Sequence, residues 1–257
     1  MKDVRRGSMP SQFRAGPVIE AADACDRRTL AAYGMTVGQR LAVLALNMLS
    51  PVHVVAVALL LVLPWATPLW RALGALGVLY LMPAVVARCI LLVAPFRSTT
   101  TRIGSPEFIR WWALLNLQVL FCRFPALEEA LRVVPNLYTL WLRLWGSKIG
   151  SLVYWAPGTL ILDRSFLDIG GDVLFGAGVR LNPHVMARNE SGELELLLAP
   201  VRIGRGAVVG GYSLLTAGTE ILAGEITPAF LISPPFSRWQ GGKRVRDRAE
   251  APARTPS

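Results

Sequence analysis

The sequence predicts an N-terminal α-helical transmembrane hairpin plus interfacial helices, followed by a short all-β domain. Two long apolar stretches predict the hairpin. An apolar residue at every sixth position predicts that the all-β domain is a parallel β-helix of about four coils. A six-residue period matches neither the turn of an α-helix nor the alternation of a single strand. It matches a coil of three short sides, each pointing one apolar residue inward.

The composition bounds the classes of partner. The chain has 257 residues, 53% of them hydrophobic, and 27 Lys and Arg against 17 Asp and Glu give a net charge of +10. Basic charge in so apolar a chain favours an anionic membrane surface as the partner. We expect no nucleic-acid partner, because no helix-turn-helix or zinc-finger pattern organises the basic residues. Cys25, Cys89 and Cys122 lie far apart, so neither a disulfide framework nor a metal site is predicted.

The hairpin is predicted over residues 41–94, after a polar basic segment at 1–40. Residues 41–63 carry no charge and are long enough to cross a hydrocarbon core of ~30 Å. Residues 72–94 form a second span, interrupted by Pro83 and carrying Arg88 near one end. No secretory signal peptide is expected, since the first long apolar run begins near residue 41.

The basic residues predict the orientation. Seven Lys or Arg precede the first span and seven follow the second through Lys148, whereas the turn between them has Arg71 alone, at its edge. By the positive-inside rule, both ends of the hairpin face the cytoplasm. We therefore expect a multi-pass protein of the inner (cytoplasmic) membrane, with its N-terminus and β-helix in the cytoplasm. Arg88 can reach that interface by extending its side chain.

Interfacial and amphipathic helices are predicted over residues 95–147. Residues 106–124 begin with a helix signal and carry Arg at both ends, which favours a helix in the membrane interface, or one partly re-entrant, over a third span. Residues 135–145 are predicted to form an amphipathic helix. Its apolar face contains Leu137, Leu140, Trp141 and Leu144. Four tryptophans in these helices suit a membrane interface: Trp111, Trp112, Trp141 and Trp145. The alternative is a buried helix packed on the mouth of the β-helix.

The six-residue rhythm defines the predicted β-helix, at residues 148–227. Mostly small residues stand four places after each apolar one. The apolar positions are Ile149, Trp155, Ile161, Leu167, Val173, Val179, Val185, Ile203, Val209, Leu215 and Ile221. Residues 228–257 are predicted to be a basic tail, disordered from Gly241. Where the rhythm breaks, residues 187–201 are too long for a coil corner, so we expect a projecting loop. Its Leu196-Leu197-Leu198 could touch the membrane or a neighbouring subunit.

At IGSLVY, VLFGAG, IGRGAV and VGGYSL, the chain resembles the hexapeptide-repeat acyltransferases over about a third of its length. The resemblance implies a left-handed β-helix. It also implies that the protein is a homotrimer. It also implies transfer of an acyl group, usually acetyl, from coenzyme A to a hydroxyl or amine. A histidine would act as general base, and acyl-CoA would be a co-substrate rather than a permanently bound cofactor.

His184 is the candidate general base, since it stands at the break and the chain has only one other histidine, His53. Asn182, two residues earlier on the same strand, could orient the imidazole or the substrate, with a plain turn asparagine as the alternative. His53 lies within the first span and could be functional there. The blander alternative for His53 is a neutral histidine bonded to a backbone carbonyl near Pro51.

The resemblance also implies that coenzyme A lies along the last coils, against small residues and cations. The candidates are Gly204, Arg205, Gly210, Gly211, Ser213 and Thr219. The alternative is that coil corners require glycine and serine in any case. Asp163, Asp168 and Asp172 are interpreted as corner residues rather than metal ligands.

Two other functions stay open. Two spans before a short β-helix also resemble one of the tandem membrane units of poly-lysine-type peptide synthetases. A single such unit would acylate an amine with a carrier-protein aminoacyl thioester. The third hypothesis is a non-catalytic membrane scaffold that uses the β-helix to oligomerise.

Overall fold

The computed structural model describes residues 35–96, 99–189 and 191–245. Most of the predicted N-terminal segment, with Cys25, and the end of the predicted tail lie outside these residues. The helices of the described part follow one another in chain order. They are α1 Val37–Asn47, α2 Leu49–Val62, α3 Pro68–Leu76, a π-helical turn Gly77–Leu81, α4 Met82–Val93, α5 Pro106–Arg123, α6 Ala126–Val133 and α7 Leu137–Leu144.

The helices α1 to α4 form two apolar stretches, Val37–Val62 and Pro68–Val93. Both are long and apolar enough to cross a membrane by length and composition, and few of their side chains are buried. Each begins four residues before the predicted start, for a local reason. Thr36 and Gln39 form a capping box ahead of α1, and Pro68 occupies the first turn of α3.

Pro83 changes the second stretch without ending it. The Met82 N–H bonds to the carbonyl of Gly77, five residues back, which is the π-helical register. The next bond in that register would join Pro83 to the Val78 carbonyl, and proline has no N–H. The His53 Nε2 takes its place at 2.9 Å from that oxygen. His53 is therefore a buried histidine bonded to a backbone carbonyl, but its partner lies across the hairpin rather than near Pro51.

Helix α5 lies between the hairpin and the β-rich domain. It begins at Ser105, whose Oγ accepts from the Phe108 N–H at 3.1 Å, and it packs against α1, α2 and α4. Trp111, Trp141 and Trp145 are buried in the protein core, so the aromatic-belt interpretation is wrong for these three. The alternative, helices packed on the β-rich domain, describes them.

Helix α7 buries a different face from the predicted one. Leu140 is exposed and Leu137 partly so, whereas Tyr138 and Leu142 are buried together with Trp141. The reason is that α7 packs between α4 and the first strand of the β-rich domain. Behind it, the Arg88 guanidinium at the end of the hairpin lies against Gly146.

Sixteen short strands complete the described fold. They are β1 Thr100–Arg102, β2 Lys148–Ile149, β3 Tyr154–Trp155, β4 Leu160–Ile161, β5 Leu167–Ile169, β6 Leu174–Phe175, β7 Arg180–Asn182, β8 His184–Arg188, β9 Leu194–Leu198, β10 Val201–Ile203, β11 Val208–Val209, β12 Leu214–Thr216, β13 Glu220–Ile221, β14 Ile232–Ser233, β15 Arg238–Gln240 and β16 Lys243–Val245. Successive strands visit three parallel sheets in turn. Sheet I has the order β2-β5-β10-β13-β15, with β16 antiparallel at its edge; sheet II is β3-β6-β11, and sheet III is β4-β7-β12-β14. The β-rich domain with parallel sheets is confirmed, whereas the left hand and the number of coils stay predictions.

The pairing corrects the register predicted after Ile161. Ile149, Trp155 and Ile161 pair with Ile169, Phe175 and Leu181, each 20 residues further on. Leu167, Val173 and Val179, the predicted positions, stand two residues before these partners and are buried as well. Counted between paired residues, the segment from Ile161 to Ile169, which contains the corner at residues 162–166, is two residues longer than its counterparts. Because both sets are apolar and face the same way, the rhythm hides the insertion.

The break in the rhythm is a β-hairpin rather than a loop. Strands β8 and β9 pair antiparallel, and β1 adds to the free edge of β9. Leu196 and Leu198 are buried in a cluster with Phe108 and Trp111 of α5. They therefore pack within the chain, and the predicted contact of this leucine trio with a membrane or another subunit does not hold for them.

The β-rich domain extends beyond its predicted end at residue 227. Strands β14, β15 and β16 lie in the predicted tail, because the rhythm continues there with Thr227, Ser233 and Trp239. The first two are polar and so escape an apolar pattern. The buried Glu225 carboxylate accepts the Gly241 and Gly242 N–H groups, both at 2.7 Å, and holds the last turn in place.

Candidate active site

His184 is the first residue of β8, where the chain leaves sheet III for the hairpin. Its Nδ1 is hydrogen-bonded to the Oδ2 of Asp163. Asp163 belongs to the lengthened corner at residues 162–166, and its side chain is only 1% exposed. The sequence predicts Asp163 to be a corner residue, and the structure also has it in a corner. The two additional residues of that corner bring its carboxylate to the histidine.

A third side chain completes this arrangement. The Trp111 Nε1 donates to the Asp163 Oδ1 at 3.0 Å. The Trp111 ring also packs edge-on against the His184 imidazole, with 4.9 Å between centroids. Both carboxylate oxygens of Asp163 are thus engaged, one by each ring. The His184 side chain remains 18% exposed.

The electrostatics suit a proton acceptor. Burial lowers the pKa of His184, but the hydrogen bond to Asp163 and its negative charge raise it, and the net pKa lies above the ordinary 6.5. A carboxylate on Nδ1 favours the tautomer that carries its proton there, which leaves Nε2 as the acceptor. Among the residues that the structure describes, none is hydrogen-bonded to Nε2. The nitrogen that a general base uses therefore has no hydrogen-bond partner within the described ranges.

Arg164, next to Asp163, enters a separate buried network. Its guanidinium pairs with Glu128 of α6, and its Nη1 and backbone N–H bond to the Gln118 Oε1 of α5 at 3.0 and 2.9 Å. Glu128 also contacts Arg132 at 3.2 Å and the Tyr138 hydroxyl at 2.6 Å. Burial lowers the pKa of Arg164, but Glu128, Cys122 and Tyr138 together raise it, and the net pKa lies above its ordinary value, so the arginine stays charged. This network ties the lengthened corner to α5 and α6.

Within the described residues, Asn182 makes no hydrogen bond to the imidazole. It ends β7, its neighbour in sheet III is Thr216, and no described residue bonds to its buried Oδ1. The partner of Nδ1 is Asp163. A role for Asn182 toward the substrate stays a prediction.

The residues predicted to bind coenzyme A divide into three groups. A Cβ on Gly204 or Gly210 would lie 2.3 Å from backbone atoms of the following turn, and one on Gly211 would lie 3.1 Å from the Ala177 carbonyl oxygen. Close stacking of backbone therefore accounts for these glycines, as the structural alternative expects. Arg205 is exposed over 76% of its side chain and lies 3.4 Å from Asp172.

The hydroxyl residues form the third group. Ser213 and Thr219 are fully buried, and their hydroxyls donate to the Gly210 carbonyl and to Ser233 at 2.6 and 3.0 Å. Their burial and their internal hydrogen bonds favour the structural alternative for both, and their contact with coenzyme A stays a prediction.

Other features of the described residues lie apart from His184. A cavity of about 360 Å³ opens between the start of α7 and strand β3, beside Tyr138 and Trp155. No three His, Cys, Asp or Glu side chains in the described ranges approach closely enough to hold a metal ion.

Sequence reasoning misses Asp163, Trp111, Arg164 and Glu128 as parts of the site. The usable signal is the corner lengthened by two residues, because it interrupts the strict period. The insertion is not directly visible in the sequence because Leu167, Val173 and Val179 continue the six-residue apolar period. Trp111 carries no such signal, since its role depends on where α5 packs.

Comparison with known proteins gives structural similarities only. No protein-family model matches the sequence, and no curated protein matches it either. A hexapeptide-repeat acetyltransferase from Vibrio cholerae O1 biovar eltor, in complex with acetyl coenzyme A, is 18% identical with a TM-score of 0.32. The match covers 41% of this chain and 62% of that one.

Two other acetyltransferase structures are similar at 14% identity. A maltose O-acetyltransferase from Clostridium difficile 630 has a TM-score of 0.29, covering 53% of this chain and 89% of that one. A galactoside acetyltransferase in complex with coenzyme A has a TM-score of 0.25, covering 49% and 79%. At these TM-scores the matches carry no argument about activity. The solved structures to which this chain is similar include hexapeptide-repeat acetyltransferases.

Proposed function

We propose that the protein is a membrane-anchored acyltransferase that moves an acyl group, by expectation acetyl, from a coenzyme A thioester to a hydroxyl or amine. The observation that carries the proposal is the His184–Asp163 pair, in which a buried carboxylate holds Nδ1 and no residue in the described part of the chain is hydrogen-bonded to Nε2. The other histidine, His53, is engaged by a backbone carbonyl within the hairpin.

The geometry supports a direct transfer. The acceptor oxygen or nitrogen attacks the thioester carbonyl while its proton passes to the His184 Nε2. Asp163 stabilises the resulting imidazolium through Nδ1–H. The tetrahedral intermediate then expels the coenzyme A sulfur, which recovers the proton from Nε2. The products are the acylated acceptor and free coenzyme A, and no covalent acyl-enzyme forms.

The membrane anchor is the helical hairpin. Its two apolar stretches leave most of their large side chains exposed, which a lipid environment would cover. The basic flanks favour the cytoplasmic membrane with both hairpin ends in the cytoplasm. Met35 and Phe96, at those two ends, pack on the cluster that contains Trp111. The candidate site therefore lies near the proposed cytoplasmic boundary, which suits a membrane-bound acceptor and a cytosolic acyl donor.

The donor site is proposed along the later turns of the β-rich domain, in a homotrimer. Arg205 is available to coenzyme A phosphates, since it is exposed and its ion pair with Asp172 is a surface one. Apolar side chains exposed on the outer face of sheet II support an oligomer. They form one column in which Tyr154, Leu174 and Ile226 are exposed and Val208, between Leu174 and Ile226, is half-buried.

Thioester cleavage tests the proposal. Detergent-solubilised protein would receive acetyl-CoA or a carrier-bound aminoacyl thioester, with a membrane lipid extract as the source of acceptors. We expect cleavage of acetyl-CoA, and a loss of about 10²- to 10⁴-fold in His184→Ala, as general-base catalysis typically contributes. Unchanged thermal unfolding of the variant would serve as the control.

The other hypotheses are separable outcomes of the same assay. Cleavage of the carrier-bound thioester alone would support the peptide-synthetase-type unit. Absence of any cleavage by the unaltered protein would support the scaffold. A fully active His184→Ala protein would refute His184 as the base.

A further inference from the structure

We propose that Trp111 is a positioning residue of this site, so that helix α5, outside the β-rich domain, supplies part of the catalytic arrangement. The inference rests on the proposed function. It extends the His184–Asp163 pair to a Trp–Asp–His relay of contacts built from two separate parts of the chain.

Trp111 contacts both members of the catalytic pair. Its indole N–H reaches one carboxylate oxygen of Asp163 while His184 takes the other. Its ring edge lies against the imidazole itself. A carboxylate engaged through both oxygens cannot turn about its last bond without losing a hydrogen bond to a buried group. Trp111 therefore fixes the direction in which Asp163 presents its oxygen to His184.

Trp111 also packs against apolar residues of its own helix and of strand β9. Its ring lies 5.6 Å from that of Phe108 and 5.8 Å from that of Trp112, and it packs in the cluster with Leu196 and Leu198. The Trp112 Nε1 donates to the Asn47 Oδ1 of α1 at 2.9 Å. The two neighbouring indoles of α5 therefore end their hydrogen bonds on different parts of the chain, Trp112 on α1 and Trp111 on Asp163.

The indole N–H also has an electrostatic consequence. A donor on the Asp163 carboxylate spreads its negative charge and weakens its hold on the imidazolium. Asp163 is the charged group, among the described residues, that acts on the pKa of His184. Arg164 beside it is directed to Glu128, Gln118 and Cys122. Loss of the indole N–H is therefore expected to raise the pKa of His184 and to leave Asp163 less well oriented.

The test compares Trp111→Phe with Trp112→Phe. Both remove an indole N–H from the same helix, but only the first bond ends on Asp163. We expect Trp111→Phe to lower kcat about 10- to 100-fold, the scale of a lost hydrogen bond to a charged group. KM for acetyl-CoA should stay within about twofold, and the acid limb of the rate profile should move to higher pH. Trp112→Phe should keep kcat and the acid limb of the unaltered protein.

An activity-independent readout separates the two proposals. The chain has two histidines, so ¹⁵N-histidine NMR resolves the titration of His184, assigned with His184→Ala. A raised pKa in Trp111→Phe supports the contact even if no thioester is cleaved, in which case the proposed function fails alone. An unchanged pKa and unchanged kcat would overturn the inference, as would equal losses in both variants.

The unaltered protein provides a test that needs no stable variant. The indole N–H resonance of Trp111 should move as His184 titrates, because both share the Asp163 carboxylate. The indole resonance of Trp112 should stay constant over the same pH range. A Trp111 resonance that does not respond contradicts the inference.

Discussion

Asp163 and Arg164 are neighbours in sequence, yet their side chains enter two separate networks. Asp163 meets Trp111 and His184, while Arg164 pairs with Glu128. Removing one partner of a buried charge pair leaves the other charge without compensation, so both residues are costly to change for different reasons. The first bears on protonation of the base, and the second on attachment of the helices to the corner.

Asp163→Asn tests the protonation argument. The amide keeps a similar shape but removes the negative charge, so burial is left to lower the pKa of His184. A general base works when neutral, and the rate falls as the pH drops through its pKa. The acid limb of kcat/KM should therefore move to lower pH than in the unaltered protein, whose limb lies above 6.5. The plateau rate should fall by about 10²- to 10⁴-fold through lost orientation and charge.

Asp168→Asn is the matched control for that experiment. Asp168 stands on β5 of sheet I, between Lys148 and Arg202 in the ladder, and makes no contact with His184. Its substitution should leave the acid limb in place. A limb that shifts equally in both variants would argue against Asp163 as the partner that sets the pKa of His184.

At the scale of elements, the corners explain why glycine recurs. A four-residue corner joins most successive strands, and its third residue has a positive φ, as at Leu152 with 55° and Tyr212 with 56°. The first residue of several corners lies against backbone of the next turn. Gly204 and Gly210 occupy such positions. Glycine is needed there for close approach, independently of any ligand.

Gly210→Ala and Gly211→Ala separate this structural requirement from a ligand role. A Cβ at Gly210 would lie 2.3 Å from Pro228 backbone atoms, whereas one at Gly211 would lie 3.1 Å from the Ala177 carbonyl oxygen. Overpacking costs about 1–3 kcal/mol, so Gly210→Ala should lower Tm by several degrees and Gly211→Ala by less. Thermal unfolding in detergent measures both. Equal Tm values for the two variants would contradict the close-stacking explanation.

At the scale of the whole molecule, the outer faces of the β-rich domain differ. Sheet I alternates charge from turn to turn along Lys148, Asp168, Arg202, Glu220 and Arg238. Sheet II instead exposes an apolar column that ends at Ile226, itself 68% exposed. Exposed apolar columns favour association with another surface, whereas an alternating charge ladder stays solvated. We expect sheet II to lie in the interface of the proposed homotrimer.

Ile226→Lys tests that expectation, since a charge in an apolar interface is costly to bury. Mass measurement of the detergent-solubilised protein should give three chains for the unaltered protein and a smaller assembly for this variant. Glu220→Lys on sheet I should leave the mass unchanged. An unaltered protein with the mass of one chain would contradict the proposed trimer.

The features that can be read before the fold is known depend on residues close together in the chain. Apolar stretches, the caps at Thr36 and Ser105, and the six-residue period are all local or periodic. They suffice for the two helical stretches, for the parallel β-rich domain and for His184 as the residue at its break. They do not suffice for the register, since Leu167 and Ile169 are both apolar and point the same way.

The remaining features arise from contacts between distant residues. Trp111 meets a carboxylate 52 residues away, and His184 meets the same carboxylate across 21 residues. Neither distance has a period or a motif, so nothing in the local pattern distinguishes Asp163 from Asp168 or Asp172. Burial of Trp111, Trp141 and Trp145 depends likewise on which surface covers them. Composition and spacing therefore identify a histidine, but only chain packing gives it a carboxylate and a helix to hold that carboxylate.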